Sequence, residues 1–171
     1  NPKDEIAFRR IINKPARGIG PQSQEKIIQS YRENDSALNY VEQCRQMYSS
    51  LPKKAREGVE SFVESMDEFE KKISENVSAK EENEKLQTEK NINPVEKLSV
   101  LIDLIAEKTG LKEYHKTQDE ISGTQRVLNL QELSNAAVLY ECTRQGLLDF
   151  LDHIELDRTL ESQDDNTAVQ A

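Results

Sequence analysis

Apolar residues recur at helical spacing along nearly the whole chain, and no stretch alternates in the manner of a strand. Phe8, Ile11 and Ile12 share one face of a helix predicted from about Lys3 to Asn13, and Ile27, Ile28 and Tyr31 do the same for one opening near Pro21. Leu38, Val41, Cys44 and Tyr48 form a third stripe, with Asp35 or Ser36 as its expected cap. Val59, Phe62, Val63 and Met66 fill the i, i+3, i+4, i+7 template, and Phe69 and Ile73 extend it into what should be the longest helix. Residues 78–91 hold Leu86 as their only large apolar side chain, so they are expected to be an exposed helix end or a mobile connection.

The chain re-enters the core at Asn93-Pro94-Val95-Glu96, which reads as a helix start: Asn as cap, Pro in the first turn, Glu reaching back. Leu98, Leu101, Ile102 and Ile105 carry that helix to a left-handed cap at Gly110. A short polar segment to Gly123 precedes a helix with Val127, Leu130, Leu133 and Ala137 inward, and Leu147, Phe150, Leu151 and Ile154 mark the last. After Asp157 the apolar pattern stops. The expected architecture is one all-α, multi-helix domain over residues 1–157, with 158–171 a polar tail.

Composition narrows this further. The 171 residues are 35% apolar and 5% aromatic, with no Trp, too little β-branched and aromatic content for a β-sandwich. No stretch approaches the roughly 18 apolar residues a membrane span needs, so no membrane partner is expected and a cytoplasmic location is. The net charge of −9 argues against a polyanionic partner until its distribution is considered. Residues 1–60 carry 11 Lys/Arg against 8 Asp/Glu, whereas residues 61–171 carry 12 against 24. The basic excess concentrates in Lys3, Arg9, Arg10, Lys14 and Arg17, so the chain has a locally cationic end.

Cys44 and Cys142 lie 98 positions apart without a metal-ligand spacing, and are expected to be buried, reduced thiols. His115 and His153 fall in no triad or metal spacing and read as surface or packing residues. The chain starts on Asn1 without an initiator Met or an apolar leader, and is read as a piece of a longer protein or one trimmed at its start. It carries no G-x-x-x-x-G-K-[ST] loop, G-x-S-x-G elbow or dinucleotide fingerprint. No cofactor and no catalysis are expected of the chain itself.

The most informative stretch is Lys14-Pro15-Ala16-Arg17-Gly18-Ile19-Gly20-Pro21-Gln22-Ser23, leading into Lys26. Gly18 and Gly20 permit a turn whose amides point outward together, and the helix beginning at Pro21 adds free N–H groups and a positive dipole end. Lys14, Arg17 and Lys26 would surround a phosphate there, while Gln22 and Ser23 would lie on the first helical turn and Ile19 would pin the turn to the core. Gly-hydrophobic-Gly between helices is the helix-hairpin-helix pattern, which grips backbone without reading bases. A plain tight turn is the simpler alternative. A second candidate is Thr124-Gln125-Arg126 at a helix start, where Arg126 would either reach a phosphate or pair with one of the many carboxylates.

Taken together, Asn1-Pro2, Asp4-Glu5, Ala7-Phe8, Arg10-Ile11-Ile12-Asn13, Pro15 and Arg17-Gly18-Ile19-Gly20 resemble the start of the accessory 2B domain of bacterial superfamily 1 DNA helicases of the UvrD/PcrA/Rep type. Lys108-Thr109-Gly110-Leu111 with Tyr114 resembles that domain's "SGL…Y" segment. Arg126 followed by Asn129-Leu130-Gln131-Glu132-Leu133 resembles its "R…NL.EL" helix, and Leu148, Phe150-Leu151, Ile154 and Leu156 resemble its closing helix. The resemblance covers almost the whole chain.

It implies an ATP- and Mg-dependent 3′-to-5′ DNA helicase as parent, acting in repair or replication restart, with the nucleotide held by other domains. It also implies duplex DNA backbone, those other domains and repair proteins as partners, the hairpin as the duplex contact, and a domain that swivels as a rigid body. The competing reading is a helical protein-interaction module that docks through the acidic face after residue 60.

Overall fold

The computed structural model describes residues 3–33, 38–86 and 95–168. Among them are eight α-helices, two single 3₁₀ turns and one isolated bridge, so the fold is all-α as the periodicity predicts. The helices are α1 (Glu5–Ile11), α2 (Pro21–Glu33), α3 (Tyr40–Met47), α4 (Lys53–Leu86), α5 (Leu98–Lys108), α6 (Leu111–Ser122), α7 (Arg126–Ala136) and α8 (Arg144–Ala168). No helix among the described residues is long and apolar enough to cross a membrane.

The backbone gathers into two compact units. One comprises the chain up to Glu70 with Ile105–Arg126; the other comprises Lys71–Leu104 and the chain from Val127. The first unit is organised by a single apolar cluster in which Phe8, Ile12, Ile19, Ile27, Ile28, Tyr40, Cys44, Val59 and Phe62 are all buried. Its aromatic residues interlock: Phe8 stacks on Tyr40 at 4.5 Å between ring centroids and meets Phe62 edge-on at 6.1 Å. Burial pushes the Cys44 thiol up to about 12, so this free cysteine is an inert core residue.

Helix ends follow local chemistry, with several departures from the sequence reading. Asp4 caps α1 by accepting from the amides of Ile6 and Ala7 at 2.8 and 3.0 Å. The cap of α3 is Asn39, whose side chain accepts from the Glu42 amide; the expected Asp35 and Ser36 lie outside the described residues. The expected polar segment before Gly123 is instead helix α6, bracketed by left-handed glycines at Gly110 (φ 71°) and Gly123 (φ 63°). Gly123 donates back to Asp119 O at 2.8 Å, closing the last turn.

In the second unit, α5 begins at Leu98, so the start expected at Asn93-Pro94 is corrected at its described end: Val95 and Glu96 are not helical. Glu96 does not reach back to cap a helix. Its amide donates to Asn76 Oδ1 at 2.7 Å, and its carboxylate takes Lys72 Nζ at 2.5 Å and Asn76 Nδ2 at 3.3 Å. The extended backbone at 96–98 exchanges bonds with the chain before α8: Cys142 N to Glu96 O at 2.8 Å and Leu98 N to Tyr140 O at 2.9 Å. Leu98, Leu101, Ala137, Cys142 and Phe150 are buried, whereas Leu133, expected inward, is 38% exposed. The segment from residue 78 is the end of α4 as far as Leu86, the first of the two expected alternatives, and 87–91 lie outside the described residues.

Candidate nucleic-acid interface

The turn between α1 and α2 is held from inside. Asn13 Oδ1 accepts from the amides of both Arg17 and Ile19, at 2.8 and 3.2 Å, so one side-chain oxygen folds the segment back on itself. Ile19 is fully buried, anchoring the turn as its position between two glycines predicts. Gly18 takes the left-handed φ of 77°, which a Cβ would strain. Gly58 on α4 lies so close beneath that a Cβ there would fall 2.1 Å from Arg17 O. The turn therefore sits on bare helix backbone.

This arrangement decides which amides find acceptors. Ser23 and Gln24 donate to Gly20 O at 3.0 and 3.1 Å, and Gln24 Nε2 donates to Ile19 O at 2.8 Å. The amides of Gly18, Gly20 and Gln22 have no acceptor among the described residues. Nothing lies within 4 Å of the Cβ position of Gly20, so a ligand atom can approach the backbone there. Three donors without acceptors thus lie beside a helix N-terminus, where the dipole favours negative charge.

The expected residues divide around this turn. Gln22 and Lys26 are exposed on α2, whereas Ser23 is buried. Lys54, missed by the sequence reading, lays its side chain across Gly18, its Cγ 2.9 Å from where a Cβ would be. No local pattern could have paired positions 18 and 54; only the close approach of α4 at Gly58 does so.

Arg17 is turned inward. Its Nη1 donates to Ile11 O at 2.9 Å and lies 3.3 Å from the carbonyls of Ile12, Lys14 and Pro15. The guanidinium also lies over the Phe62 ring, 5.9 Å from its centroid, and partial burial lowers its pKa. It satisfies carbonyls that the end of α1 leaves without intrahelical partners, where a cation is favoured by the helix dipole.

The second candidate lies in the same unit. Arg126, Lys14 and Arg17, together with Arg10, line one cavity of about 460 Å³ walled otherwise by apolar side chains such as Phe69 and Leu111. Asp119 accepts from the Arg126 amide at 2.9 Å and from the Thr124 hydroxyl, so it caps α7 and leaves the Arg126 guanidinium uncommitted. Of the two alternatives for Arg126, carboxylate pairing is not observed: among the described residues its side chain, like those of Lys14 and Arg10, forms no ion pair. Gln125 is exposed beside it.

The described residues define an all-α helical class, and family comparison narrows it. Residues 1–170 match the model of the UvrD-like helicase C-terminal domain, and the chain belongs to that family. The protein is similar to the ATP-dependent DNA helicase PcrA of Staphylococcus epidermidis (strain RP62A), with 27% identity over 99% of this chain and 21% of the relative. It is 24% identical, over the same shares, to the ATP-dependent DNA helicase PcrA of Staphylococcus aureus (strain Mu50). The chain spans about one fifth of the length of the curated relatives it matches.

Proposed function

We propose that the chain is a 2B-type accessory domain of an ATP-dependent 3′-to-5′ DNA helicase that grips duplex phosphates without reading sequence. The observation that carries this reading is the trio of amides at Gly18, Gly20 and Gln22 without acceptors among the described residues, with the Lys54 side chain across Gly18 and Lys26 exposed on α2. A phosphate oxygen lodged in the turn replaces water on donors that the protein leaves open, and the lysines neutralise the adjoining phosphates. Thr124, Gln125 and Arg126 form a secondary contact in this reading, and Arg17 acts by holding the turn's shape rather than by touching DNA.

ATP and Mg belong to other domains of the parent, because this chain carries no nucleotide-binding loop. The domain itself has no catalytic step. Its partners are duplex DNA and those other domains, and the parent acts in the cytoplasm. The test is a titration of labelled duplex at low salt with the wild type and with Lys26→Glu plus Lys54→Glu. Both residues are exposed, so the variant keeps its core. The wild type should bind in the upper part of the roughly 10⁻⁴–10⁻⁶ M non-specific range, and the variant at least tenfold more weakly. Equal binding by the folded variant would remove the hairpin as the contact.

A further inference from the structure

The cavity lined by Arg10, Lys14 and Arg126 differs in charge from the chain as a whole. The whole chain has 32 Asp/Glu against 23 Lys/Arg, yet the 14 residues lining this cavity include four Lys/Arg and no carboxylate. Arg10, Lys14 and Arg126 form no ion pair among the described residues, although elsewhere Arg9, Arg32, Arg45, Lys72 and Lys80 each pair with a carboxylate. Gathering like charges without counter-ions is unfavourable, so the group favours an incoming anion. Arg is moreover the side chain whose fork best matches phosphate oxygens.

The opposite wall sets the ligand's other half. Phe69, Met66, Ile105 and Leu111 contribute apolar surface, and Tyr114 with His115 adds two rings. His115 Nδ1 is buried and has no hydrogen-bond partner among the described residues, so the cavity retains one unsatisfied polar atom. A bare inorganic anion would leave the apolar wall wet, and a hydrocarbon would leave the cations bare. The volume of about 460 Å³ falls within the roughly 300–1,000 Å³ typical of small-molecule sites.

We propose that this cavity is a binding site for a nucleoside phosphate, with Arg10, Lys14 and Arg126 on the phosphate and the apolar wall against the base. Arg17 is a positioning residue, since its Nη1 is engaged by the carbonyls at the end of α1. The same chemistry is offered by a free nucleotide and by an unpaired nucleotide of a DNA strand. The site is separate from the hairpin amides, and it shares only Arg126 with the secondary duplex contact.

The experiment is isothermal titration of the 171-residue chain with dAMP, inorganic phosphate, adenosine and a short oligo(dA), accompanied by imidazole ¹⁵N spectra of His115. We expect dAMP or oligo(dA) to bind at least tenfold more tightly than phosphate or adenosine and to shift the His115 resonance. Tighter binding of dAMP identifies a free nucleotide as the ligand, and tighter binding of oligo(dA) identifies a strand. Arg10→Gln plus Arg126→Gln should weaken that binding at least tenfold while leaving the fold intact, because the Asp119 cap uses only the Arg126 amide. Lys85→Gln plus Lys97→Gln, a charge-matched change in the second unit, should leave it unaltered. The Lys26→Glu plus Lys54→Glu variant should also retain it, which separates this site from the hairpin. The proposal is overturned if neither dAMP nor oligo(dA) exceeds phosphate and adenosine, or if the double Arg variant binds as the wild type does.

Discussion

Both units pair cations with carboxylates, but the first also leaves several unpaired beside one turn and one cavity, among the described residues. In the second, lysines are consumed in holding the fold: Lys72 pairs with Glu96 and Lys80 with Glu141 at 2.6 Å, and the buried Asn76 links α4 to the extended backbone at Glu96. In the first, Arg9 and Arg32 share Glu5, but Lys14, Lys26, Lys54, Arg10 and Arg126 are left without carboxylates among the described residues. The core of that unit is an apolar cluster that includes Phe62 and Val59, to which these cations do not belong. The net charge of −9 is therefore a poor guide to partners. What matters is which charges the fold has already neutralised.

Substitutions sharpen this contrast, beginning with the core. Phe62→Ala removes the ring that meets both Phe8 and the Arg17 guanidinium, and should cost about 3–5 kcal/mol by urea unfolding. Next come paired glycines: a Cβ on Gly58 would fall 2.1 Å from Arg17 O, and one on Gly146 would fall 2.2 Å from Glu141 O. Each Gly→Ala change should therefore destabilise by about 1–3 kcal/mol through overpacking. Only Gly58→Ala should also weaken duplex binding, because only it unseats the hairpin; equal duplex binding by both variants would break the distinction.

Asn76→Ala should cost the second unit a comparable or slightly smaller amount, about 1–3 kcal/mol, by leaving the Glu96 amide without its acceptor. The hairpin should still bind duplex. The smallest effect is on acid stability. Glu96 is held below the ordinary carboxylate range first by its hydrogen bond from Lys72 and also by Asn76, partly offset by burial. Its contribution is complete above the unfolded carboxyl's value of about 4.3 and is lost as pH falls through its lower folded value. Urea midpoints at pH 7 and pH 3 should accordingly differ less in Glu96→Gln than in the wild type.

Much of the first unit was legible in the residues. Pro21 marks the start of α2, Ile19 is the buried anchor, and Gly18 and Gly110 take the left-handed conformations their positions require. These features are local, set by backbone sterics and by short-range apolar spacing. The departures come from partners distant in sequence. Glu96 has the spacing of a capping residue, but Asn76 and Lys72, 20 and 24 positions earlier, draw it elsewhere. Arg17 looks like a phosphate ligand until the carbonyls at the end of α1 are placed around it. Helix α6 escapes the apolar pattern because Ile121 is 74% exposed and its inner face is made largely of Tyr114, His115 and Gln118. Lys54 could not be found without knowing that Gly58 brings α4 against the turn.

The central claim is that a few acceptor-free amides and free lysines of the first unit hold duplex phosphates. The most direct measurement is the salt dependence of duplex affinity for the wild type and Lys54→Gln. Two or three neutralised phosphates predict a slope of log K against log salt of about −2 to −3, with the variant shallower by about 1. A wild-type slope near zero, or a slope that Lys54→Gln leaves unchanged, would contradict the account.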